Sequence, residues 1–276
     1  MGKTPKFSNP PVVETVLGVQ FPEIEGFRAV HFGLYWETLR DRYPELSDQP
    51  RLEPVRERFP RAPMIPGPRF ELLQRMPPGR VWYTATSGSE LIQLQPDRFL
   101  FNWRRRSPDE PYPSYETNSK TFFDEFDRFR QFCRAQKLTE PTPEICEVTY
   151  LNHIDPRLDE TALDLAGKVF TGLRWEGTGR FLPIPESFTF NRAFVITDKD
   201  KPIGRLYAEA SIALRRDDGT ALREFISFKL TARVNHAQKE GKGLTDCMQQ
   251  AHDWVVCGFA DLTDKHIQTD RWRRSV

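Results

Sequence analysis

The chain has 276 residues, which suits one large domain or two small ones and is long enough to bury a hydrophobic core. Its 40 Lys and Arg residues nearly balance its 39 Asp and Glu residues, so the net charge of +1 lacks the basic excess typical of a general nucleic-acid-binding protein. No apolar run approaches the roughly 18 residues of a membrane span, and the N-terminal sequence lacks the apolar core of a signal peptide, so we predict a cytoplasmic protein without a membrane partner.

Residues 1–140 read as a strand, a helix, several antiparallel strands and a second helix. Period-two alternation of apolar residues predicts the strands, and apolar residues at three- and four-residue steps predict the helices. The predicted elements are a strand at 12–21, a helix at 26–42, a short strand at 51–59, four strands at 69–74, 80–86, 90–95 and 98–103, and a helix at 116–137. We expect Val13 of the first strand and Val30, Leu34 and Leu39 of the first helix to face the core.

Residues 141–276 repeat this plan, and the segment TEPTPE at 139–144 marks the boundary between the halves. The predicted elements are a strand at 145–154, a helix at 159–173, three strands at 187–197, 203–216 and 221–235, and a helix at 243–262. The order of elements, rather than sequence identity, predicts an α+β fold of two pseudo-repeated halves, 1–140 and 141–276, packed as one unit. One irregular α+β domain is the alternative. Halves of this kind form helix-grip or saddle-like sheets, and such sheets often bind ligands or polymers.

The stretch LIQLQPDRFLFNWRRR at 91–106 carries the most informative pattern of the chain. If the Pro-Asp dipeptide in its middle closes a two-residue hairpin, Leu94 faces Phe99 and Ile92 faces Phe101 on an apolar face. The other face then carries a polar row, defined as Gln93, Gln95, Arg98 and Asn102. This polar row is either the solvated side of a half-buried antiparallel sheet or a surface that binds a partner.

Four residues that follow the polar row in the sequence widen the candidate surface: Trp103, Arg104, Tyr112 and Tyr115. Arginine and aromatic side chains suit single-stranded nucleic acid, and they suit a protein interface equally well. With no catalytic set in view, we predict a non-enzymatic binding or regulatory protein that acts through a protein partner. Two alternatives stay open, namely a small ligand bound between the sheet and a long helix, and nucleic acid bound by residues 93–106.

Patterns for catalysis and metal binding are weak. The sequence LNHIDP places Asn152 inward and His153 outward on a predicted strand, and Asp155 lies close by. We keep Asn152 and His153 as candidate binding residues, because a His–Asp pair serves acid–base chemistry in some proteins and caps a strand end in more of them. The histidines and cysteines lack metal-ligand spacing, so we predict no metal and no cofactor. The cysteines expected to be reduced core residues are Cys133, Cys146, Cys247 and Cys257.

Five segments spread along the chain carry a resemblance to a known family. They are NPPVVETVLGVQF at 9–21, LIQLQPDRFLFNWRR at 91–105, YPSY at 112–115, VTYLNHI at 148–154 and AHDWVVCGFADLT at 251–263. Together they resemble an uncharacterised family of bacterial and archaeal proteins of similar length and sporadic distribution. The resemblance covers nearly the whole chain and brings no established activity with it. The sporadic distribution of that family implies horizontal transfer, and thus a mobile locus or antiviral defence as the setting.

Overall fold

Nine strands drawn from both halves of the chain form an antiparallel sheet in the computed structural model, which describes residues 4–60, 79–171, 173, 181, 185–217, 221–236 and 243–275. The strands are β1 Val12–Gln20, β2 Glu45–Gln49, β3 Arg80–Thr84, β4 Glu90–Gln95, β5 Arg98–Arg104, β6 Ile145–Ile154, β7 Thr189–Asp198, β8 Lys201–Asp217 and β9 Ala221–Asn235. The helices are α1 Ala29–Glu37, α2 Tyr115–Ala135, α3 Ala162–Val169, α4 Leu244–Leu262 and α5 Lys265–Asp270.

The two strands that open the halves lie side by side at the centre of the sheet. The strand order is β2-β3-β4-β5-β1-β6-β9-β8-β7. β1 pairs with β5, the last strand of its half, and β6 pairs with β9, the last strand of the other half. The predicted α+β class is confirmed, and the sheet runs without a break from one half into the other.

The helices pack on one face of this sheet, which we call the helix face. Phenylalanines at helical spacing on α2 meet β5, and the ring of Phe99 lies 5.5 Å from the rings of both Phe126 and Phe129. In the second half, Phe259 of α4 stacks on Phe228 of β9 at 5.9 Å. Full burial of an aromatic side chain of this size contributes about 1.5–3 kcal/mol, so these contacts hold the helices to the sheet.

The first helix turns a different side to the core than its sequence predicted. Val30 and Leu34 are 60% and 41% exposed, so the expectation that they face inward was wrong, whereas Leu39 is buried as predicted. Tyr35 takes the inward position instead, and it packs edge-on against the ring of Tyr83 at 5.6 Å. A large ring buries more apolar surface than a valine does, which favours this rotation of the helix.

A bulge changes the face of one residue at the start of β1. The register against β6 shifts between Val12 and Glu14, and Val12 rather than Val13 is buried. An extra residue in one strand reverses the side to which its neighbours point. The expectation for Val13 was therefore wrong, whereas Leu17 and Val19 farther along the strand are buried.

Residues 50–59, which we call the strap, do not form the strand predicted at 51–59. The strand of this region is β2, which pairs with β3 at the edge of the sheet. The strap instead crosses the other face of the sheet, and its backbone bonds to side chains of β1, β4 and β5. Proline has no N–H to donate, so Pro50 and Pro54 do not suit a regular strand. We call this side of the sheet the strap face. The strand predicted at 69–74 lies outside the described residues.

The hairpin between β4 and β5 has the predicted register. Gln95 pairs with Arg98, which leaves a two-residue turn, and Leu94 lies opposite Phe99 as expected. The period-two pattern alone therefore placed the polar row correctly on one side of these strands.

The two ends of the described chain run next to each other beside α4. Phe7 and Arg274 form a β-bridge, and the N–H of Asn9 donates to the carbonyl of Trp272 at 3.2 Å. Trp272 is buried against the ring of Phe259, with 4.7 Å between ring centroids. This contact holds the N-terminal segment in place as one wall of the cavity described below.

Candidate functional site

The polar row lies on the strap face and is buried there. Gln95 exchanges two hydrogen bonds with the strap: the N–H of Leu52 donates to its Oε1, and its Nε2 donates to the carbonyl of Leu52, each at 3.1 Å. Arg98 donates to the carbonyl of Glu53 at 3.0 Å and to the side chain of Gln20. The interpretation of the row as the solvated side of a sheet was wrong, because the strap covers this end of the strands.

The remaining residues of the polar row belong to a network along the same face. Gln93 donates to Asn102 at 2.8 Å, and Asn102 donates to the carboxylate of Glu14 at 2.6 Å. Arg104 binds the same carboxylate at 2.8 Å, and its guanidinium lies 4.7 Å from the ring centre of Trp82. These side chains bond to one another and to the strap, so the row offers little open surface to a nucleic acid or another partner.

Trp103 and Arg104 do not form one surface. Neighbouring residues of a strand point to opposite faces, and Trp103 points to the helix face, where it is buried edge-on against Tyr112 at 5.5 Å. Tyr115 lies on that side as well. The structure therefore divides the predicted residues into one group under the strap and another group among the helices.

A cavity of about 650 Å³ opens on the helix face between the start of α2, strand β6 and α4. The N-terminal segment and the loop after β5 complete its walls. Pockets for small molecules usually have volumes of roughly 300–1,000 Å³, so this one has an ordinary size for such a site. We call it the tyrosine cavity, after the five residues that carry its polar chemistry: Tyr112, Tyr115, Tyr150, Asn152 and His252.

Two contacts between aromatic side chains fix the walls of the tyrosine cavity. Tyr115 stacks on His252 with ring centroids 3.7 Å apart and ring planes 12° apart. The hydroxyls of Tyr112 and Tyr150 share a hydrogen bond of 2.7 Å. Ser114 caps α2 by accepting from the N–H of Thr117 at 3.2 Å, and this cap sets the position of Tyr115 at the first turn.

Several polar atoms of the tyrosine cavity have no partner among the described residues. Asn152 is 1% exposed and donates its Nδ2 to the carbonyl of Phe228 at 3.0 Å, but no described residue donates to its Oδ1. The bond between Tyr112 and Tyr150 uses one of two hydroxyl protons, and the second has no acceptor in the described part of the chain. Nε of Arg105, which also lines the cavity, is buried without a partner in the described ranges as well. Buried polar groups are normally paired, so a ligand could engage atoms of this kind.

The three phenols act as hydrogen-bond donors at neutral pH. Burial raises the pKa of Tyr112 to about 12. Burial also raises the pKa values of Tyr115 and Tyr150 well above the ordinary value for a phenol. Each hydroxyl therefore keeps its proton, and the site presents donors rather than phenolate charge.

Acidic side chains outnumber basic ones along the walls of the tyrosine cavity. The lining side chains that carry formal charge are Lys6, Arg105, Asp109, Glu110, Glu116 and Asp253. Asp253 is held beside the cavity by bonds from Thr4 at 3.3 Å and Gln249 at 3.0 Å. A site with this balance favours a neutral or cationic ligand over an anionic one.

His153 and Asn152 point to opposite faces, as the alternation predicted. His153 lies on the strap face with its ring 4.3 Å from that of Phe225. Asp155 forms an ion pair with Arg215 at 2.9 Å. The described hydrogen bonds do not join His153 to Asp155, so the structure gives no support to an acid–base pair there.

The sequence did not single out Tyr150 and His252 as site residues. The signal for Tyr150 was present, because the alternation of β6 places it on the same face as Asn152. His252 lies beside the buried stripe of α4 and carries no such signal. Its place in the site depends on the packing of α4 against β6.

The cysteines and the titratable residues of the described ranges give no metal site. Cys133, Cys146 and Cys247 are buried, as predicted, whereas Cys257 is only half-buried. Cys257 lies beside the buried stripe of α4 rather than on it, so the expectation that it belongs to the core was wrong. None of the helices in the described ranges is long and apolar enough to cross a membrane.

Comparison with protein-family models, curated proteins and solved structures returns no match to this chain. The family resemblance and its implied setting in a mobile or defence locus stay predictions.

Proposed function

We propose that this chain is a binding protein with a regulatory role, and that the tyrosine cavity is its ligand site. The observation that carries the proposal is Asn152, which is 1% exposed, lines a cavity of about 650 Å³ and has an Oδ1 that accepts from no described residue. A buried polar atom without a partner costs about 1–3 kcal/mol, and a bound ligand removes that cost.

A comparison of the two faces of the sheet favours the tyrosine cavity over the polar row as the ligand site. The polar row is bonded to the strap and to its own neighbours, whereas the tyrosine cavity has walls, volume and unpaired polar atoms. Small-molecule sites combine an apolar lining with a few convergent polar groups, and this cavity has both.

The proposal is tested by incubating the purified chain with a small-molecule extract and identifying retained compounds by native mass spectrometry. Each retained compound is then added back in a thermal unfolding assay. A ligand at 100 times its dissociation constant stabilises the folded state by about 2.7 kcal/mol, which gives a measurable rise in Tm.

A cavity-filling variant supplies the control. Val256 of α4 lines the tyrosine cavity, and Val256→Phe should remove both the retention and the rise in Tm. Val30 is 60% exposed on α1, so Val30→Phe should leave both unchanged. Retention that survives Val256→Phe, or an extract in which no compound raises Tm, would contradict the proposal.

We also infer that the two halves are related by a pseudo-twofold axis between β1 and β6. The matched pairing of β1 with β5 and of β6 with β9 supports this inference. The tyrosine cavity lies at the junction, since α2 comes from the first half and α4 and β6 from the second.

A second candidate function is regulation through contact with a protein partner. The β8–β9 hairpin extends past its neighbours, because β7 pairs only as far as Ser211 and β6 only as far as Ile226. Leu214 and Leu222 lie on one face of this extension and are 60% and 59% exposed. An exposed apolar pair on a projecting ribbon is accessible to a protein partner, and this makes the ribbon the second candidate surface.

The ribbon is tested by comparing affinity capture of partners by the wild type and by a Leu214→Asp/Leu222→Asp variant. Charges on an exposed face should leave the Tm unchanged and abolish a specific complex. The matched control is Val30→Asp/Leu34→Asp on α1, another exposed apolar pair. A complex that survives the ribbon variant would exclude this surface.

A further inference from the structure

We propose that the tyrosine cavity recognises a planar heterocycle through a lactam or imide edge, of the kind found in uracil and hypoxanthine. This inference rests on the function proposed above and adds the chemical class of the ligand. It follows from three features of the cavity, namely the pattern of unpaired donors and acceptors, the shape of the walls and the balance of charge.

The first feature is a donor and an acceptor on the same strand. Tyr150 and Asn152 are two residues apart on β6, so their side chains leave the same face about 7 Å apart at the backbone. Nδ2 of Asn152 is committed to the carbonyl of Phe228, and this fixes Oδ1 as the acceptor that remains. The hydroxyl pair of Tyr112 and Tyr150 supplies the donor.

A lactam edge is complementary to this pattern. Its ring N–H donates to Oδ1 of Asn152, and the adjacent carbonyl accepts the unpaired proton of the tyrosine pair. A carboxylate offers only acceptors and would leave Oδ1 without a donor, and an amine offers no acceptor. Recognition by hydrogen bonds from buried groups discriminates strongly, because an analogue that lacks one partner leaves a polar atom unpaired.

The second feature is a set of flat rings that suits a planar ligand. The stacked rings of Tyr115 and His252 present aromatic surface to the cavity. Five prolines from the N-terminal segment and the loop after β5 also line it: Pro5, Pro10, Pro11, Pro108 and Pro111. Heterocycles stack on such surfaces. Stacking on the aromatic rings alone should raise the affinity of the ligand about tenfold or more.

The third feature is the charge of the lining, which selects against a phosphate. Four acidic side chains line the cavity against Lys6 and Arg105. A dianionic phosphate would meet this excess of negative charge in a partly enclosed space. The free base or nucleoside therefore fits better than the nucleotide.

The test is calorimetric titration of the full chain at neutral pH with defined probes. The probes are uridine and inosine, their ring-N-methylated analogues 3-methyluridine and 1-methylinosine, and uridine 5′-monophosphate. Uridine or inosine should bind. The methylated analogue should bind at least tenfold more weakly, because the methyl group replaces the proton that the ring N–H would donate to Oδ1 of Asn152. The monophosphate should bind more weakly than uridine.

Variants separate the polar contact from the packing of the rings. Tyr112→Phe/Tyr150→Phe keeps both rings and removes both hydroxyls, and it should lower the affinity at least tenfold. Tyr83→Phe is the matched control, since the hydroxyl of Tyr83 donates to the carbonyl of Phe32 at 3.0 Å and Tyr83 does not line the cavity. That control should leave the affinity unchanged.

The outcomes distinguish this inference from the proposed function. Equal affinity for a nucleoside and its methylated analogue would overturn the lactam edge. Failure of uridine and inosine would overturn it too, and the cavity would still be a ligand site if a compound from the extract is retained by the wild type and lost in Val256→Phe. If no compound binds in a way that depends on Val256, the proposed function fails as well.

Discussion

The two faces of the sheet differ in how their polar side chains are paired. On the strap face, Gln95 and Gln20 each exchange two hydrogen bonds with one strap residue, so the donors and acceptors of these two amides are matched inside the chain, and Nε of Arg98 is the exception among the polar row. On the helix face, Asn152 and the tyrosine pair leave an acceptor and a proton unmatched beside a cavity. A row of polar residues is therefore a weak indicator of a site, and incomplete pairing next to open volume is a stronger one.

The largest expected effect comes from the ion pair that holds the strap to β8. Arg205 binds Glu57 at 2.6 Å, and the two side chains are 6% and 1% exposed. Arg205→Met leaves the carboxylate buried without its cation and should lower the free energy of unfolding by about 3–5 kcal/mol, as measured by urea denaturation. This loss would show that the strap is an integral part of the fold.

Two further variants check the cause of that loss. Arg205→Met/Glu57→Met removes both charges and should recover most of the stability, because no unpaired charge stays buried. Arg157→Met breaks an ion pair with Asp270 whose partners are 69% and 65% exposed, and it should cost less than about 1 kcal/mol. A small loss of unfolding free energy in Arg205→Met would mean that the strap contributes little to the fold. The proposed contrast between a tightly paired strap face and an incompletely paired helix face would then be contradicted.

A second prediction compares a paired polar group with an unpaired one. Gln95→Leu leaves the N–H and the carbonyl of Leu52 without partners and should cost about 1–3 kcal/mol, with faster amide exchange along the strap. Tyr115→Phe removes a hydroxyl that has no partner among the described residues and should change stability by less than about 0.5 kcal/mol. Similar losses in the two variants would contradict the proposed difference between the faces.

Local patterns were sufficient for most of the strands. The bounds of β6 and the register of the β4–β5 hairpin follow from period-two alternation, which depends only on neighbouring residues. The rotation of α1 did not follow, because it depends on where Tyr35 meets Tyr83 of a strand far along the chain. The face of the sheet to which Val13 points could not be predicted from the alternation either, since a bulge interrupts it.

The candidate site could be predicted only in part. Tyr112, Tyr115 and Asn152 were among the expected binding residues and line the cavity, whereas His252 was missed. The polar row was placed on the correct side of its strands, but its burial depends on the strap, which has no periodic pattern. Whether a polar side chain is paired is a property of distant contacts, and a single sequence does not contain them in readable form.

A smaller effect is expected from a carboxylate on the helix face. Burial, with a contribution from the like charge of Glu125, raises the pKa of Glu90 above its ordinary value. The folded state thus binds this proton more tightly than the unfolded state, so ionised Glu90 destabilises the fold at neutral pH. Glu90 is only half-buried and solvent screens its charge, so Glu90→Gln should raise the free energy of unfolding by less than about 1 kcal/mol at pH 7. Near pH 4 the gain should vanish, and a gain that persists there would exclude ionisation as its cause.

The smallest effect concerns His153 on the strap face. Burial, together with the charge of Arg215, lowers the pKa of His153 below 6.5. The unfolded chain therefore takes up this proton first as the pH falls, and stability is lost as the pH drops below about 6.5 towards the folded-state pKa. His153→Phe keeps a ring against Phe225 and should flatten the stability profile in that window. Because His153 is only half-buried and solvent screens its charge, the change should be well below about 1 kcal/mol. Arg215→Met should flatten the stability profile only partly, because burial still lowers the pKa of His153. If the slope is unchanged in His153→Phe, another group produces it, and His153 is not the pH-dependent residue of this face.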